Sequence, residues 1–214
     1  MIRRRRTTTS TRAAWARSPW AKALNSQSAM AAITPRAARI IELTGLAPGR
    51  RFVDIGCGTA AYAHLLARQA GCDVPPLCLD LTADGPGPVD AVAWPEHLPL
   101  ADESVDVLTS LYFLHRFDDD VAHGFGGEIA RVLAPGGTAL LLDIAPVKSS
   151  WLDGLHRRLL APGCAEVDLR GWGRLAALLT ECGFDAIDLV NVGPFLLPPI
   201  PRIGVLLRRS ARAE

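Results

Sequence analysis

Apolar residues in this chain gather in short blocks. Between the blocks lie longer stretches in which apolar residues return every three or four positions. The clearest blocks are Arg51–Ile55, Leu77–Leu79, Val105–Ser110, Ala139–Asp143 and Ile203–Arg208. Blocks this short, rich in Val, Ile and Leu and bounded by Gly, Pro or Asp, predict strands covered on both faces. Val89–Ala93 and Phe184–Val190 are weaker blocks of the same kind. The stretches between predict helices. Ala60–Ala70 places Leu65 and Leu66 on one face. A helix starting at Pro35 carries Ile40, Ile41 and Leu43 and stops at Gly45 and Pro48-Gly49. Asp118-Asp119-Asp120 caps a helix running through Ile129 to Leu133. A further helix spans Trp172–Cys182 and ends at Gly183. Strands alternating with helices predict an α/β domain with a seven-stranded, mostly parallel, Rossmann-like sheet.

One connection breaks the alternation. Between the second and third strands the chain reads Thr82-Ala-Asp-Gly-Pro-Gly-Pro88. Two prolines and two glycines in seven residues do not sustain a helix. The crossover helix is therefore expected to be lost, replaced by a tight loop that leaves the third strand partly uncovered.

The first strand and the second each end in a chemical group. Val53-Asp-Ile-Gly-Cys-Gly-Thr-Ala60 turns from a strand through glycines into a helix, and Leu77-Cys-Leu79 ends in Asp80. Gly56 and Gly58 permit positive φ and close backbone approach to a ligand. The first amides of the following helix point at the same space. Asp80 is placed to accept hydrogen bonds from two ribose hydroxyls, so the pattern suits a nucleoside. The third glycine of a dinucleotide fingerprint falls on Ala61. Asp54, two residues before Gly56, would repel a pyrophosphate but suits an ammonium. S-adenosylmethionine carries an ammonium and a sulfonium and no phosphate, so the charges favour it over NAD.

These motifs resemble the class I S-adenosylmethionine-dependent methyltransferases, and within them the branch of quinone, sterol and small-molecule methyltransferases. Besides residues 53–60, the resemblance rests on Leu98-Pro-Leu-Ala-Asp-Glu-Ser-Val-Asp106-Val-Leu, Ser110-Leu-Tyr-Phe-Leu-His115 and Arg131-Val-Leu-Ala-Pro-Gly-Gly137, and it covers roughly residues 35–210. It implies the strand order 3-2-1-4-5-7-6 with the last strand antiparallel. It implies S-adenosyl-L-methionine as cofactor, held by Asp54, Gly56, Cys57, Gly58, Asp80 and Leu81. The implied reaction is methyl transfer to O, N or C of a small organic acceptor. At the adenine end the chain departs from the family. An Asp-Ala pair is usual four and three residues before the Leu-Pro dipeptide, where this chain has Trp94 and Pro95. Trp94 would then either join the cofactor-binding residues by stacking on adenine or cover the thinned sheet edge. His115 follows the fourth strand, where such sheets open their binding crevice, and is the candidate base for an acceptor hydroxyl or amine. His156, Arg157 and Arg158 offer either a hold on an anionic acceptor group or a solvated basic helix face.

Composition narrows the remaining choices. A length of 214 residues predicts one domain, over 35–214, preceded by a basic arm or lid over 1–34. The first 41 residues hold nine of the 23 Lys and Arg and no acidic residue. The remainder is therefore acidic, which argues against a polynucleotide acceptor lying across it. No apolar run of about 18 residues predicts a membrane span, and no apolar run follows Arg3–Arg6 to form a signal peptide. Five cysteines without metal-ligand spacing predict free thiols in a reducing cytoplasm and no metal site. Two rivals stay open: a catalytically silent scaffold of the same fold, motivated by the Trp94-Pro95 pair and the lost helix, and an NAD-type oxidoreductase.

Overall fold

Seven strands pair in the order β3-β2-β1-β4-β5-β7-β6. The computed structural model describes residues 27–81, 83, 89–147, 149–154, 168–192 and 201–211, with the backbone alone for 27–35. In chain order the elements are α1 (Gln27–Thr44), β1 (Phe52–Ile55), α2 (Ala61–Gln69), β2 (Leu77–Asp80), β3 (Ala91–Val92), β4 (Val105–Leu111), α3 (Asp119–Val132), β5 (Leu133–Ile144), α4 (Trp172–Thr180), β6 (Ala186–Val190) and β7 (Arg202–Arg208). A one-turn 3-10 helix covers Leu114–Arg116. β1 pairs in parallel with β2 and β4, β2 with β3, and β4 with β5. β7 alone runs antiparallel, between β5 and β6. The architecture is the one the apolar blocks predict, and the strand order is the one the family resemblance implied.

Successive strand residues point to opposite faces, and each face carries its own core. Val53, Ile55, Leu79, Leu108 and Leu141 pack with Phe125 and Ile129 of α3 and Leu175 and Leu179 of α4. Phe52, Cys78, Val107, Leu140 and Leu142 pack on the other face with Ala37 and Ile40 of α1 and Ala63 and Leu66 of α2. Leu66 is fully buried while Leu65 is half-buried.

Three boundaries differ from expectation. The first helix does not begin at Pro35: it starts at Gln27 and runs through the proline, so a border at 34/35 falls inside α1 rather than between an arm and a domain. Proline forfeits one N–H and crowds the preceding turn. The remaining bonds of an 18-residue helix carry it past that loss. β5 begins directly at the end of α3, with a register shift against β4 between Val105↔Leu133 and Val107↔Thr138. Pro135-Gly136-Gly137 is thus a kink within the strand, Gly136 having φ +76. β3 is only Ala91–Val92, joined to β2 by residues 81–90. The expected loop at 82–88 lies outside the described residues except for Ala83, as do His156, Arg157 and Arg158.

Candidate cofactor and acceptor site

The carboxyl ends of β1, β2, β4 and β5 define one edge of the sheet. Four carboxylate or imidazole groups stand there: Asp54, Asp80, Asp143 and His115. All four are buried.

β1 ends at Ile55 and the chain turns at once. Gly56 (φ +75) and Gly58 (φ +58) adopt left-handed conformations that glycine reaches without strain. The amides of Gly56 and Cys57 both donate to the Leu79 carbonyl, at 2.8 and 3.1 Å, which pins the turn onto β2. Gly56 is required for a second reason: a Cβ there would lie 2.3 Å from Cδ2 of Phe113. The turn ends at Ala60, itself at φ +60, whose carbonyl accepts the first bond of α2 from His64.

Asp80 closes this turn. Its Oδ2 accepts from the Gly58 amide at 2.8 Å and its Oδ1 from the Leu81 amide at 2.7 Å. The acid at the end of β2 therefore braces the glycine loop. Trp94 stands just past β3, beside the same strand end: the Ala93 amide donates to the Asp80 carbonyl at 2.9 Å. Trp94 is 47% exposed. Cys57 contributes backbone, and a hydrogen bond to Cys78 together with burial pushes its thiol up, away from the reactive thiolate.

Asp54 sits on the face opposite Val53 and Ile55 and is 5% exposed. Its register partner on β4 is Thr109, whose hydroxyl donates to Asp54 Oδ1 at 2.5 Å. Burial raises the Asp54 carboxyl to about 7; the Thr109 hydrogen bond works against that rise and the charge of Asp80 adds to it. Thr109 was not singled out from the sequence, because a lone threonine in a strand carries no signal.

On the same face two arginines stand near Tyr62 and Tyr112. Arg202, at the start of β7, donates to the Tyr112 hydroxyl at 2.9 Å. Tyr112 itself has φ +57, an uncommon conformation for a bulky residue. Burial raises the Tyr62 hydroxyl, with Tyr112 and Asp54 adding to the rise while Arg202 and Arg36 oppose it. These groups therefore feel one another around the α2 N-terminus. Nη1 of Arg36 is buried without a hydrogen-bond partner among the described residues.

His115 lies on the opposite face, in the 3-10 turn after β4. Its Nδ1 lies 2.7 Å from Asp143 Oδ1, and its amide donates to Asp143 Oδ2 at 2.7 Å. Asp143 also accepts from the Ile144 amide at 2.7 Å. A carboxylate can only accept, so Nδ1 carries the proton and Nε2 is the basic nitrogen of the neutral ring. His115 and Asp143 line a small cavity with Leu114, Asp168, Arg170 and Ile203. His115 is thus brought near neither Asp54 nor Arg202 by contact; it joins the edge through Asp143. The signal for Asp143 was available: like Asp80, it is an acid closing an apolar block.

Comparison with known proteins bears on the fold and the family. Residues 53–141 match the family described as "Methyltransferase domain". The chain is 28% identical to Methyltransferase GfsG of Streptomyces halstedii over 75% of its own length and 64% of that protein's. It is 32% identical to malonyl-[acyl-carrier protein] O-methyltransferase of Dechloromonas aromatica, over 69% of its own length and 56% of that protein's. It therefore spans less than two thirds of either relative. Among solved structures, a methyltransferase bound to the Haloferax volcanii Trm112 activator superposes with a TM-score of 0.70 at 16% identity, over 93% and 97% of the two chains. An S-adenosylmethionine-dependent methyltransferase of Mesorhizobium loti gives 0.62 at 21% identity, over 80% and 96%. Motif, topology and relatives converge: residues 53–141 match a methyltransferase domain, and the chain is similar to the class I S-adenosylmethionine-dependent methyltransferases.

Proposed function

We propose that this protein transfers the methyl group of S-adenosylmethionine to O, N or C of a small organic acceptor. The observation that carries the reading is the pair of buried carboxylates, Asp54 and Asp80, at the ends of adjacent strands on either side of the Gly56–Gly58 turn. Asp80 would exchange its Gly58 and Leu81 partners for ribose hydroxyls, with Leu81 packing beside the sugar. Asp54 would face the methionine ammonium. Arg36 and Arg202 would hold the methionine carboxylate, giving a zwitterion both halves of its complement. Trp94 would stack on adenine, beside Asp80.

When bound, the cofactor supplies an electrophilic methyl already activated by the sulfonium. The chain's own residues then bind, align and exclude water. His115 takes the acceptor's proton on Nε2, and Asp143 keeps the ring in that tautomer and stabilises the imidazolium that forms. Free thiols at Cys57, Cys72, Cys78 and Cys182 accord with a cytoplasmic site of action.

Calorimetric titration with S-adenosylhomocysteine tests the cofactor half. Stoichiometric binding that Asp80→Ala weakens tenfold or more is the expected result. The absence of saturable binding to the full-length wild type would select the other reading, a silent scaffold. That reading draws on Asp80, whose two oxygens already accept from backbone amides, and on the Trp94-Pro95 pair.

A further inference from the structure

Arg170 is 4% exposed and forms part of neither the glycine turn nor the face carrying Asp54. Burying a guanidinium is expensive unless charge and hydrogen bonds compensate it. Here they do. Nε donates to Asp119 Oδ1 at 2.7 Å, and Nη2 to Asp168 Oδ2 at 2.9 Å. The remaining donors go to backbone: Nη2 to the Phe117 carbonyl at 2.7 Å, and Nη1 to the Leu114 and Asp168 carbonyls, both at 3.3 Å. Leu114 and Phe117 bracket His115 in the chain. The third carbonyl of that turn, of His115 itself, accepts from the Asp168 amide at 2.9 Å.

His115 is therefore gripped from two sides. Asp143 holds its amide and Nδ1, and the Asp168–Arg170 segment holds the carbonyls around it. Arg174 lies outside this clamp. It donates to Asp119 Oδ2 at 2.8 Å and to both oxygens of Asp168, at 2.8 and 2.9 Å, while remaining about half exposed. The two carboxylates are thus shared between an inner arginine that reaches the turn and an outer one that does not.

We propose that Arg170 is a positioning residue, fixing the turn of His115 so that the imidazole keeps one orientation and one tautomer against Asp143. The proposal rests on the reading of His115 as the base. It assigns to an ion cluster built on one buried arginine, on the α4 side of the sheet, a task in acceptor deprotonation. A fork of five donors suits this task and a lysine does not, because a single ammonium cannot meet carbonyls of three residues and two carboxylates in fixed directions.

The test reads the imidazole directly and needs no acceptor. Long-range proton–nitrogen correlation spectra of the full chain report the tautomer of each histidine, with His115→Gln assigning the signal. Wild type is expected to show a single Nδ1–H form at His115. Arg170→Met, and also Arg170→Lys, should move that signal toward the tautomer-averaged position, while Arg174→Gln leaves it in place. Calorimetry on the same proteins should show S-adenosylhomocysteine affinity within about twofold of wild type. A folded Arg170→Met protein that melts earlier but keeps the wild-type His115 signal would overturn the proposal, since that is what a merely structural role gives. Should Arg170→Met not fold, an unmoved signal in Arg170→Lys overturns it equally. Failure of wild type to bind S-adenosylhomocysteine is a different result: it removes the cofactor reading and leaves the tautomer measurement standing.

Discussion

The raised carboxyl of Asp54 makes cofactor affinity depend on pH in a direction that can be worked out. Burial holds the group at about 7 in the empty protein. An ammonium placed against it favours the ionised form, so binding selects Asp54 as carboxylate. At pH 6 about one tenth of the empty protein is ionised at this site, and at pH 8 about nine tenths. Affinity for S-adenosylhomocysteine should therefore rise about tenfold between pH 6 and 8, or about 1.4 kcal/mol. Near pH 7 binding should release about half a proton. Calorimetry in buffers of different ionisation enthalpy reads both quantities. Titration of the ligand's own amine is common to wild type and Asp54→Asn, so the difference between the two isolates Asp54. In Asp54→Asn the affinity should be weaker at pH 8 and the extra pH dependence absent. Stability gives an independent reading of opposite sign. The folded protein holds the Asp54 proton more tightly than the unfolded chain, so stability falls as pH rises from about 4 through 7. The full penalty is on the order of 4 kcal/mol. Asp54→Asn should thus gain in melting temperature over wild type at pH 8, and the gain should shrink as pH falls toward 4. Equal pH profiles for wild type and Asp54→Asn in both assays would refute the placement of the ammonium and the raised carboxyl together.

Two further outcomes follow from the same geometry. Gly56→Ala places a methyl 2.3 Å from the Phe113 ring at φ +75, which combines left-handed strain with overpacking. It should cost at least about 2 kcal/mol and lower the thermal midpoint by about 4 °C or more, and an unchanged melting curve would contradict it. Arg36→Met and Arg202→Met should each weaken S-adenosylhomocysteine binding while leaving 5′-methylthioadenosine, which lacks the amino-acid end, unaffected; equal loss for both ligands would place the arginines elsewhere.

The fold was legible because its signals are local. Apolar blocks set the strands, and the expected order survives in pairings from Leu79↔Ala91 to Asp143↔Ile203. The Asp118 cap is observed as drawn, accepting from the Val121 amide at 3.1 Å. What failed was a punctuation rule. Proline favours a helix start, but it does not forbid a helix that has already begun, and α1 had. The glycine turn and Asp80 were equally local, since each reports on its own strand end. The site's remaining parts were not, because each depends on register or on distant pairing. Thr109 meets Asp54 because β1 and β4 are aligned at those residues. Arg202 meets Tyr112 across 90 residues of chain, and Arg170 meets Phe117 across 53. Nothing in the residues around any of these arginines marks it off from the other basic side chains.

The two faces also divide the work in a way the sequence could not display. The residues proposed to hold the cofactor's zwitterionic end, Asp54, Arg36 and Arg202, stand on the face with α1 and α2. The His115–Asp143 pair and its clamp gather on the face with α3 and α4. Among the described residues the sheet edge is where the two groups can act on one molecule, and strand alternation is what separates them: Leu142 points to one side and Asp143 to the other. A ligand lying along that edge would meet a recognition surface on one flank and a proton acceptor on the other. On this arrangement, substitutions at Arg36 or Arg202 should alter cofactor affinity and spare the imidazole signal of His115, while substitutions at Arg170 should do the reverse. A protein in which both sets moved both readouts together would have a single coupled pocket, and the division by faces would be wrong.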